Sequence, residues 1–433
     1  MQGEQTITIG ERYHAVNRAN VRLTPQWQRL SPELREAIEV VSLVLPFRTN
    51  HYVMDELIDW EAVPDDPMYQ LTFSQPGMLA PEDYAVMARL VRAGASREAT
   101  AAESNRLRLR LNPQPEGQKT HNVPMLDGRR LPGLQHKYAE TVLFFPKRGQ
   151  TCHAYCTYCF RWAQFVGMKD LRFAATTTDD LVAYLQRHPE VTDVLITGGD
   201  PMMMKTAVLQ QYVEPLLAVD HLNAIRIGTK APATWPHRFA EGDEADAVLR
   251  LFERVTAAGK LLALMAHFSH PAELSTELAQ KAVRRIRSSG AAIRMQSPVA
   301  RHINDNPEAW VELWREGARL GCIPYYQFVV RDTGAHRYFE LPLARTWEIF
   351  SKAYRQVSGL ARTVRGPTMS AFPGKVLVSG TADLGGRPVF VLEYLQARNP
   401  ELVRRPFFAR FDPDAVWFDQ LRPASRSDEA FFV

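Results

Sequence analysis

The chain has 433 residues, 45% of them hydrophobic and 23% charged, which is typical of a globular protein with ample apolar mass for a core. Its net charge of +4 at pH 7 is small for this length and argues against nucleic-acid binding. Four cysteines do not make a disulfide framework, the first residues lack a signal-peptide pattern, and no apolar run is long enough to span a membrane, so we expect a cytoplasmic protein.

Residues 1–110 are predicted to be mainly helical. SPELREAIEVVSLVL begins with Ser31 as a candidate N-cap, and PEDYAVMARLVRAG and the Arg/Ala-rich stretch after it also predict helices. Residues 111–133 are rich in Pro, Gly and polar residues and predict a connecting loop. We therefore place a helical N-terminal region with its linker at residues 1–133.

Residues 134–365 alternate between short apolar runs and helical stretches, and we predict that they form one domain. The runs that predict buried strands are 141–145, 193–199, 224–230, 261–268, 291–299 and 323–330. Six strand–helix units in a row predict an α/β fold with a parallel sheet, which is either open and doubly wound or part of a (β/α) barrel. Residues 366–433 break this pattern with two further strand-like runs and a tail, RRPFFARF, that can pack on the barrel or on a second subunit.

Several of these predicted strands end in polar residues or glycines. These residues are Gly198-Gly199-Asp200, Thr229-Lys230, His267 to His270, and Gln296-Ser297. In both candidate folds the carboxyl ends of the parallel strands meet at one edge, where chemistry gathers. The sequence therefore predicts a site on one rim of the sheet.

Three of the four cysteines, Cys152, Cys156 and Cys159, form a C-x3-C-x2-C motif. Three buried inert cysteines seldom cluster in so short a loop. A structural zinc site needs a fourth ligand, and His153 is badly spaced for tetrahedral closure. Three thiolates can instead hold three irons of a [4Fe–4S] cluster and leave the fourth iron open to another ligand. Cys322 has no such neighbours and is predicted to be a buried core residue.

The motif, with Tyr158 just before its last cysteine, resembles the signature of radical S-adenosylmethionine (SAM) enzymes. That resemblance implies that the open iron chelates SAM, that an electron from the cluster cleaves SAM, and that the resulting 5′-deoxyadenosyl radical abstracts a hydrogen from the substrate. It also implies that the Gly198-Gly199-Asp200 motif lies near the SAM amino group.

A more specific resemblance, to the lysine 2,3-aminomutase family, covers roughly residues 50–395. The matching stretches are LPGLQHKY, CTYCFR, DVLITGGD, IRIGTKAP, HFSHP, QSPV with IND, and PYYQF. The resemblance implies a partial (β/α)6 TIM-like barrel with a helical N-terminal region. It also implies that Arg161 binds a substrate carboxylate and that His267 and Gln296 contact SAM, and an arginine fork suits the first of these roles.

The chain departs from the family at the site for pyridoxal phosphate (PLP). The family's aminomutases bind PLP through a lysine of a glycine-rich loop, and the nearest match here, DLGGRP, has Arg387 in its place. An arginine cannot serve because it does not lose its proton. Lys375 is the other candidate, but it aligns with a strand. The family's phosphate-binding basic pair is reduced to Lys137 and Thr141, with Glu140 beside them, so we expect PLP binding to be lost or weakened.

The predicted substrate pocket departs as well. Arg331 aligns with an aspartate that holds the distal ammonium in lysine-specific members, and Asp332 follows it. A basic residue would repel lysine and suit an anionic distal group, whereas a shift of one residue would place Asp332 there instead.

The sequence thus predicts a radical SAM enzyme that abstracts hydrogen from a small amino-acid-like substrate, without PLP. A PLP-dependent 2,3-aminomutase for an amino acid other than lysine is the first alternative, and a non-catalytic cluster-binding protein is the second. One branch of the family modifies a lysine of a translation factor, so a protein or RNA substrate is a further possibility. We expect a reductant such as flavodoxin or ferredoxin and no membrane partner, and a homo-oligomer is left open.

Overall fold

The computed structural model describes residues 13–432. The helices are α1 Pro32–Val44, α2 Pro67–Thr72, α3 Pro81–Arg92, α4 Arg97–Arg110, α5 Asp179–Arg187, α6 Thr206–Leu217, α7 Ala231–Thr234, α8 His237–Ala240, α9 Asp243–Ala257, α10 Glu277–Ser288, α11 Pro307–Arg319, α12 His336–Phe339 and α13 Leu343–Arg355. The strands are β1 Ala15–Asn17, β2 Arg48–Asn50, β3 Met125–Leu126, β4 Arg129–Arg130, β5 Leu134–Tyr138, β6 Thr141–Phe144, β7 Asp193–Ile196, β8 Ala224–Thr229, β9 Leu261–His267, β10 Ala292–Val299, β11 Ile323–Val329, β12 Arg365–Ser370, β13 Gly374–Asp383, β14 Pro388–Ala397 and β15 Pro406–Arg410.

Strands β5 to β15 form one large sheet in the order of the chain. Strands β6 to β12 are parallel, β5 is antiparallel at one edge, and β13 to β15 are antiparallel at the other. The sheet curves so that β5, at one edge, contacts β14, the strand next to the other edge, and Lys137 Nζ donates to the carbonyl of Ala371. The predicted fold class, an α/β partial barrel with a helical N-terminal region and a C-terminal extension, is confirmed.

All six predicted strands are present, and the sheet contains a seventh parallel strand that the sequence did not predict. That strand, β12, pairs with β11 on one side and with β13 on the other. Its sequence RGPTMS contains a glycine and a proline and has no run of apolar residues, so it lacks the pattern of a buried strand. The strand forms because its two neighbours bury it.

The parallel strands have two different faces. Ile225 and Ile227 of β8 are buried in the main apolar core with residues of the surrounding helices, and Arg226 between them faces the barrel interior. The same alternation places Arg294 and Gln296 of β10 on the interior face. The interior is therefore polar, and the outer face holds the core.

The N-terminal region is helical as predicted, with a small β1–β2 pair that was not predicted. Ser31 caps α1, since its side chain accepts a hydrogen bond from the Leu34 amide. The apolar cluster of this region also contains Trp162, from the cysteine loop, and Phe339, from the barrel. The N-terminal helices are thus packed against the part of the barrel that carries the cysteines.

Helix α11 has a side-chain cap at its start, whereas helix α5 does not. Asn306 accepts from the Ala309 amide at 2.9 Å at the start of α11, and Gly321 follows the helix with φ +77°. At the start of α5, the side chain of Thr178 makes no capping hydrogen bond.

The C-terminal tail packs on the barrel rather than standing free. Strand β15 pairs with β14, and Trp417 and Phe431 join a third apolar cluster with strands β13 and β14. The proposed boundaries at residues 133 and 365 stay a prediction. Within residues 13–432 there is no helix long and apolar enough to cross a membrane.

Candidate functional site

The cysteine loop follows β6 and is held in place by the N-terminal region. The amide of Tyr155 donates to the carbonyl of Arg48 at 2.8 Å, and the amide of Thr157 donates to the carbonyl of Leu71 at 2.9 Å. The Arg48 guanidinium reaches back to the hydroxyl of Thr151 at 3.1 Å. These bonds hold the loop just before the first cysteine and between the cysteines.

Gly198 and Gly199, which follow β7, allow the next part of the chain to pass directly against the cysteine loop. A Cβ atom on Gly199 would lie 2.4 Å from the amide nitrogen and 2.5 Å from the carbonyl oxygen of Thr151. Gly198 has φ +142°, a conformation that favours glycine, and its Cβ would meet the side chain of Gln150 at 2.1 Å. The two glycines therefore serve the close approach of two backbone segments.

Asp200 completes that approach. Its amide donates to the carbonyl of Thr151 at 2.7 Å, while its carboxylate accepts from the Thr229 hydroxyl and from the amides of Lys230 and Met202. Burial raises the pKa of Asp200, and these donors work against that shift. Both carboxylate oxygens are engaged by protein donors, so Asp200 ties β7 and β8 to the cysteine loop.

The three thiols of the loop are partly exposed. Cys156 lies close enough to Cys152 and Cys159 to influence their pKa values. Burial raises the pKa of each, to about 12 for Cys159. Neighbouring thiols add to the shift for Cys152 and Cys159, whereas Lys230 counteracts it for Cys156. No three His, Cys, Asp or Glu side chains of residues 13–432 converge on one metal ion. A [4Fe–4S] cluster makes a different demand, because each thiolate binds its own iron and gives up its proton in doing so. The donor set therefore fits the cluster, and Cys322 is buried in the core as predicted.

Tyr158 connects the loop to a buried ion pair. Its hydroxyl lies 2.6 Å from Ser269 Oγ, which also accepts from Lys230 Nζ at 3.0 Å. Lys230 forms an ion pair with Glu273, whose side chain is 0% exposed. Glu273 in turn accepts from the amides of Ser269 and His270. This network joins the ends of β8 and β9 to the middle of the motif.

His267 and Gln296 occupy paired positions on the neighbouring strands β9 and β10, and their side chains meet at 3.0 Å. Burial lowers the pKa of His267 to about 3, with Lys230 and Arg161 adding to the effect. The imidazole is therefore neutral at ordinary pH. Its neighbours place the histidine between the Lys230 network and Arg161.

Arg161 and Arg331 lie against one aromatic ring. Their guanidinium carbons are 4.9 and 5.5 Å from the centroid of Phe160. Burial lowers the pKa of Arg161 to about 10, Cys159 counteracts this shift, and Arg331 adds to it. The structure thus brings together the two arginines that the sequence predicted to bind substrate, close to the third cysteine.

The side chain of Asp332 is held by Asn112. Its Oδ2 and its carbonyl both accept from Asn112 Nδ2, at 2.9 and 2.8 Å. The sequence left open whether Arg331 or Asp332 occupies the predicted substrate pocket, and Arg331 is the one that contacts Phe160. The Trp417 ring covers it at 5.8 Å, and the indole N–H of that tryptophan donates to Glu116 at 3.1 Å.

Lys375 lies in the barrel, whereas Arg387 does not. Lys375 is on β13, its Nζ donates to Gln396 at 3.1 Å and lies 4.3 Å from the Tyr326 ring centroid. Burial lowers its pKa to about 7, and Arg226 adds to the shift. Arg387 is exposed in the turn between β13 and β14. Of the two residues that the sequence offered for the PLP lysine, only Lys375 is inside the barrel.

The other residues of the expected phosphate site are divided between two surroundings. Burial lowers the pKa of Lys137 to about 7, with Arg398 and Arg331 contributing, so this lysine belongs to the interior. Thr141 donates to Asp193 at 3.2 Å. Glu140 is exposed in the turn between β5 and β6, so it does not repel a phosphate inside the barrel as the sequence led us to expect.

Sequence reasoning missed several residues of the site. Glu273 was missed because a single glutamate in a helical stretch carries no signal. Glu116 and Trp417 were missed because they belong to the linker and the tail, whose positions no periodic pattern predicts. Arg226 and Arg294 were missed because only strand alternation, applied residue by residue, indicates that they face the interior. Arg365 was missed because it lies on β12, a strand that the sequence did not predict.

A curved parallel sheet with three thiols on the loop after its first parallel strand defines a radical SAM enzyme. The chain is similar to a putative L-lysine 2,3-aminomutase of Aquifex aeolicus, with 32% identity over 393 residues, which are 90% of this chain and 92% of the other. The L-lysine 2,3-aminomutases of Bacillus subtilis and Escherichia coli are each 29% identical to this chain. The alignments cover 53% and 54% of this chain, and 46% and 67% of those two proteins, respectively.

A solved radical SAM methyltransferase from Sphaerobacter thermophilus has 16% identity and a TM-score of 0.38 over 54% of this chain and 68% of its own. No family model matches the chain. On the similarity to the Aquifex protein, the chain belongs to the lysine 2,3-aminomutase-like family of radical SAM enzymes.

Proposed function

We propose that the enzyme reductively cleaves SAM at a [4Fe–4S] cluster and abstracts hydrogen from a small amino-acid-like substrate. One observation carries the proposal: the cysteine loop, the His267–Gln296 pair and Arg161 lie together at the C-terminal rim of the barrel. When bound, the cluster supplies the electron that cleaves SAM, and the resulting 5′-deoxyadenosyl radical is the hydrogen acceptor.

The chain's own residues would hold the cluster and orient SAM and the substrate. Cys152, Cys156 and Cys159 would bind three irons, and the glycine pair before Asp200 keeps this loop against β7. His267 is neutral and shares a hydrogen bond with Gln296, so the pair can offer SAM polar contacts without adding charge. The Arg161 guanidinium would bind the substrate carboxylate through paired N–H donors.

The test is anaerobic reconstitution followed by incubation with SAM and dithionite. We expect iron and sulfide to bind, and 5′-deoxyadenosine to form. Single Cys→Ala changes in the motif should abolish both, while Cys322→Ala, a matched change in the core, should retain the iron. An iron-loaded protein that never cleaves SAM, with or without amino acids, would contradict the proposal.

A second candidate function, a PLP-dependent 2,3-aminomutase for an amino acid other than lysine, is favoured by Lys375. Its ammonium group is buried in the barrel beside Tyr326, and its lowered pKa suits a lysine that must lose its proton to bind a carbonyl. When bound, PLP would supply the carbonyl carbon that carries the amino group while it migrates. Lys375 would hold the cofactor, and Lys137 is the interior cation available to its phosphate.

Borohydride reduction after incubation with PLP distinguishes the two candidates. If PLP is used, the coenzyme becomes covalently attached, and a peptide that contains Lys375 carries it. Lys375→Ala should then prevent labelling, while Arg387→Ala, the exposed position, should not. Absence of labelling in the wild type, with SAM cleavage intact, favours the reaction without PLP.

The proposed enzyme also needs a cellular location and an electron donor. A cytoplasmic location suits a chain whose four cysteines are all free thiols. The electron donor we propose is a small reduced carrier such as flavodoxin or ferredoxin. A homo-oligomer stays a prediction.

A further inference from the structure

Arg331 has a buried guanidinium group without a hydrogen-bond partner. Its Nε and Nη2 atoms are shielded from solvent, and neither meets an acceptor among residues 13–432. The group packs instead against the rings of Phe160 and Trp417, at 5.5 and 5.8 Å. An arginine held this way has N–H donors along one edge of the guanidinium plane that no acceptor in residues 13–432 satisfies. Such buried donors are costly to leave unpaired.

The surroundings of Arg331 carry an excess of positive charge. Burial lowers its pKa, and the carboxylates that counteract this shift are Asp332 and Glu116. Each of them has another partner, since Asn112 donates to Asp332 and Trp417 donates to Glu116. The other cations close enough to influence this region are Arg161, Lys137 and Arg398. This region therefore contains four basic side chains and only two carboxylates.

Arg161 and Arg331 are also close to each other. Because both contact the Phe160 ring, their guanidinium carbons are separated by no more than the sum of the two ring distances. A short ligand with an acidic group at each end can meet both. Lysine would instead bring its ammonium group to an unpaired guanidinium, and like charges in a desolvated pocket are strongly disfavoured.

We propose that Arg331 binds a distal carboxylate and that the substrate is a dicarboxylic amino acid, with Arg161 on its α-carboxylate. This inference rests on the proposed function for its reaction, but the binding of the acid is a separate property. Arg331 would act in specificity: it would select the substrate by pairing its two free nitrogens with carboxylate oxygens. Phe160 would keep the two arginines apart and in plane with the ligand.

The experiment is calorimetric titration of the anaerobically reconstituted full-length protein, with SAM present and with and without PLP. The probes are glutamate, aspartate, norleucine and lysine. We expect glutamate or aspartate to bind at least 100-fold more tightly than norleucine and lysine. Arg331→Met should lose at least 100-fold in affinity for the acid, and Arg331→Lys should retain part of it.

Three controls keep the outcome interpretable. Arg387→Met makes the same change at an exposed position and should bind the acid like the wild type. The melting temperature of ligand-free Arg331→Met should equal or exceed that of the wild type, since the change removes an unpaired buried cation. Formation of 5′-deoxyadenosine without any amino acid tests the proposed function separately from acid binding.

Two results would overturn the inference. The first is acid binding no tighter than norleucine binding in a wild type that cleaves SAM. The second is an Arg331→Met protein that binds the acid normally and loses only PLP or inorganic phosphate, which would mean that Arg331 serves a phosphate. Acid binding that is lost in Arg331→Met supports the inference even if SAM cleavage fails and the proposed function falls.

Discussion

The hydroxyl of Tyr158 lies 2.6 Å from Ser269 Oγ, and this single contact joins the cysteine loop to the end of β9. Tyr158 is the aromatic residue directly before the third cysteine, and Ser269 also receives a hydrogen bond from Lys230. The aromatic position in the motif is therefore tied to the barrel by a polar bond as well as by packing against Phe339.

Removing that bond should loosen the loop without unfolding it. We expect Tyr158→Phe to lower the free energy of unfolding by about 1 kcal/mol, since the ring stays and one buried hydrogen bond is lost. Urea denaturation monitored by tryptophan fluorescence measures it. Tyr354→Phe is the control, because its hydroxyl bond to the carbonyl of Arg362 is exposed, and it should change stability by less. Equal effects of the two changes would contradict this account.

Substitution of Gly199 should displace the cysteine loop. In Gly199→Ala the new methyl group meets the Thr151 backbone, which cannot move aside as a side chain can. We expect a loss of stability of at least about 2 kcal/mol and a marked fall in iron bound per chain. Gly359→Ala is the matched control, because its Cβ has open space around it. Full iron loading of Gly199→Ala would show that the close approach is dispensable.

The Lys230–Glu273 pair should be costly to break from one side. Lys230→Met leaves the fully buried carboxylate of Glu273 without its cation, and we expect a loss of about 3–5 kcal/mol. Lys281→Met removes one partner of an exposed pair with Glu241 and should cost less than about 1 kcal/mol. Chemical denaturation of both variants checks the difference. A similar small loss in both would mean that water reaches Glu273.

Lys375 should make the stability of the PLP-free protein depend on pH. Its pKa in the folded state is about 7, below the value of 10.5 for an unperturbed lysine. Between these values the unfolded chain binds the extra proton, so stability should rise as pH rises from 7 to about 10, by about 3–4 kcal/mol. Below pH 7 the charge is present in both states and the buried cation keeps stability low.

Melting temperatures measured across that pH range test this expectation. Lys375→Met should flatten the rise and should be more stable than the wild type at pH 7. Lys352→Met, a change at an exposed lysine that pairs with Glu348, should leave the slope as it is. A slope that survives Lys375→Met would assign the effect to another group, of which Lys137 is the first to examine.

The six apolar runs separated by helices predicted a parallel sheet, and the resemblance to the family favoured the barrel over the open sheet. The apolar pattern failed for β12, whose residues RGPTMS become a strand only because β11 and β13 provide partners. The cysteines could be predicted from local spacing alone. Glu116 and Trp417 could not, because each comes to Arg331 from a distant segment, and no local pattern records such a meeting.

Lys375 and Arg387 also show that a local sequence pattern does not predict which residues lie inside the barrel. The glycines of DLGGRP made Arg387 the better match to a cofactor loop, yet these glycines form an exposed turn between two strands. The lysine inside the barrel sits on a strand, where its neighbours in sequence give no sign of a site. Similarity of a short motif was a poorer guide than the side of the strand on which a residue lies.

The bonds from Arg48 and Leu71 to the cysteine loop also mean that the motif is not a portable unit. A fragment that started at residue 134 would keep all three cysteines and every strand of the barrel. It would nevertheless leave the amides of Tyr155 and Thr157 without acceptors and the apolar face of Trp162 without cover. The ability to assemble iron is therefore shared between two segments that lie some eighty residues or more apart in the chain, and the earlier of them has no metal ligand of its own.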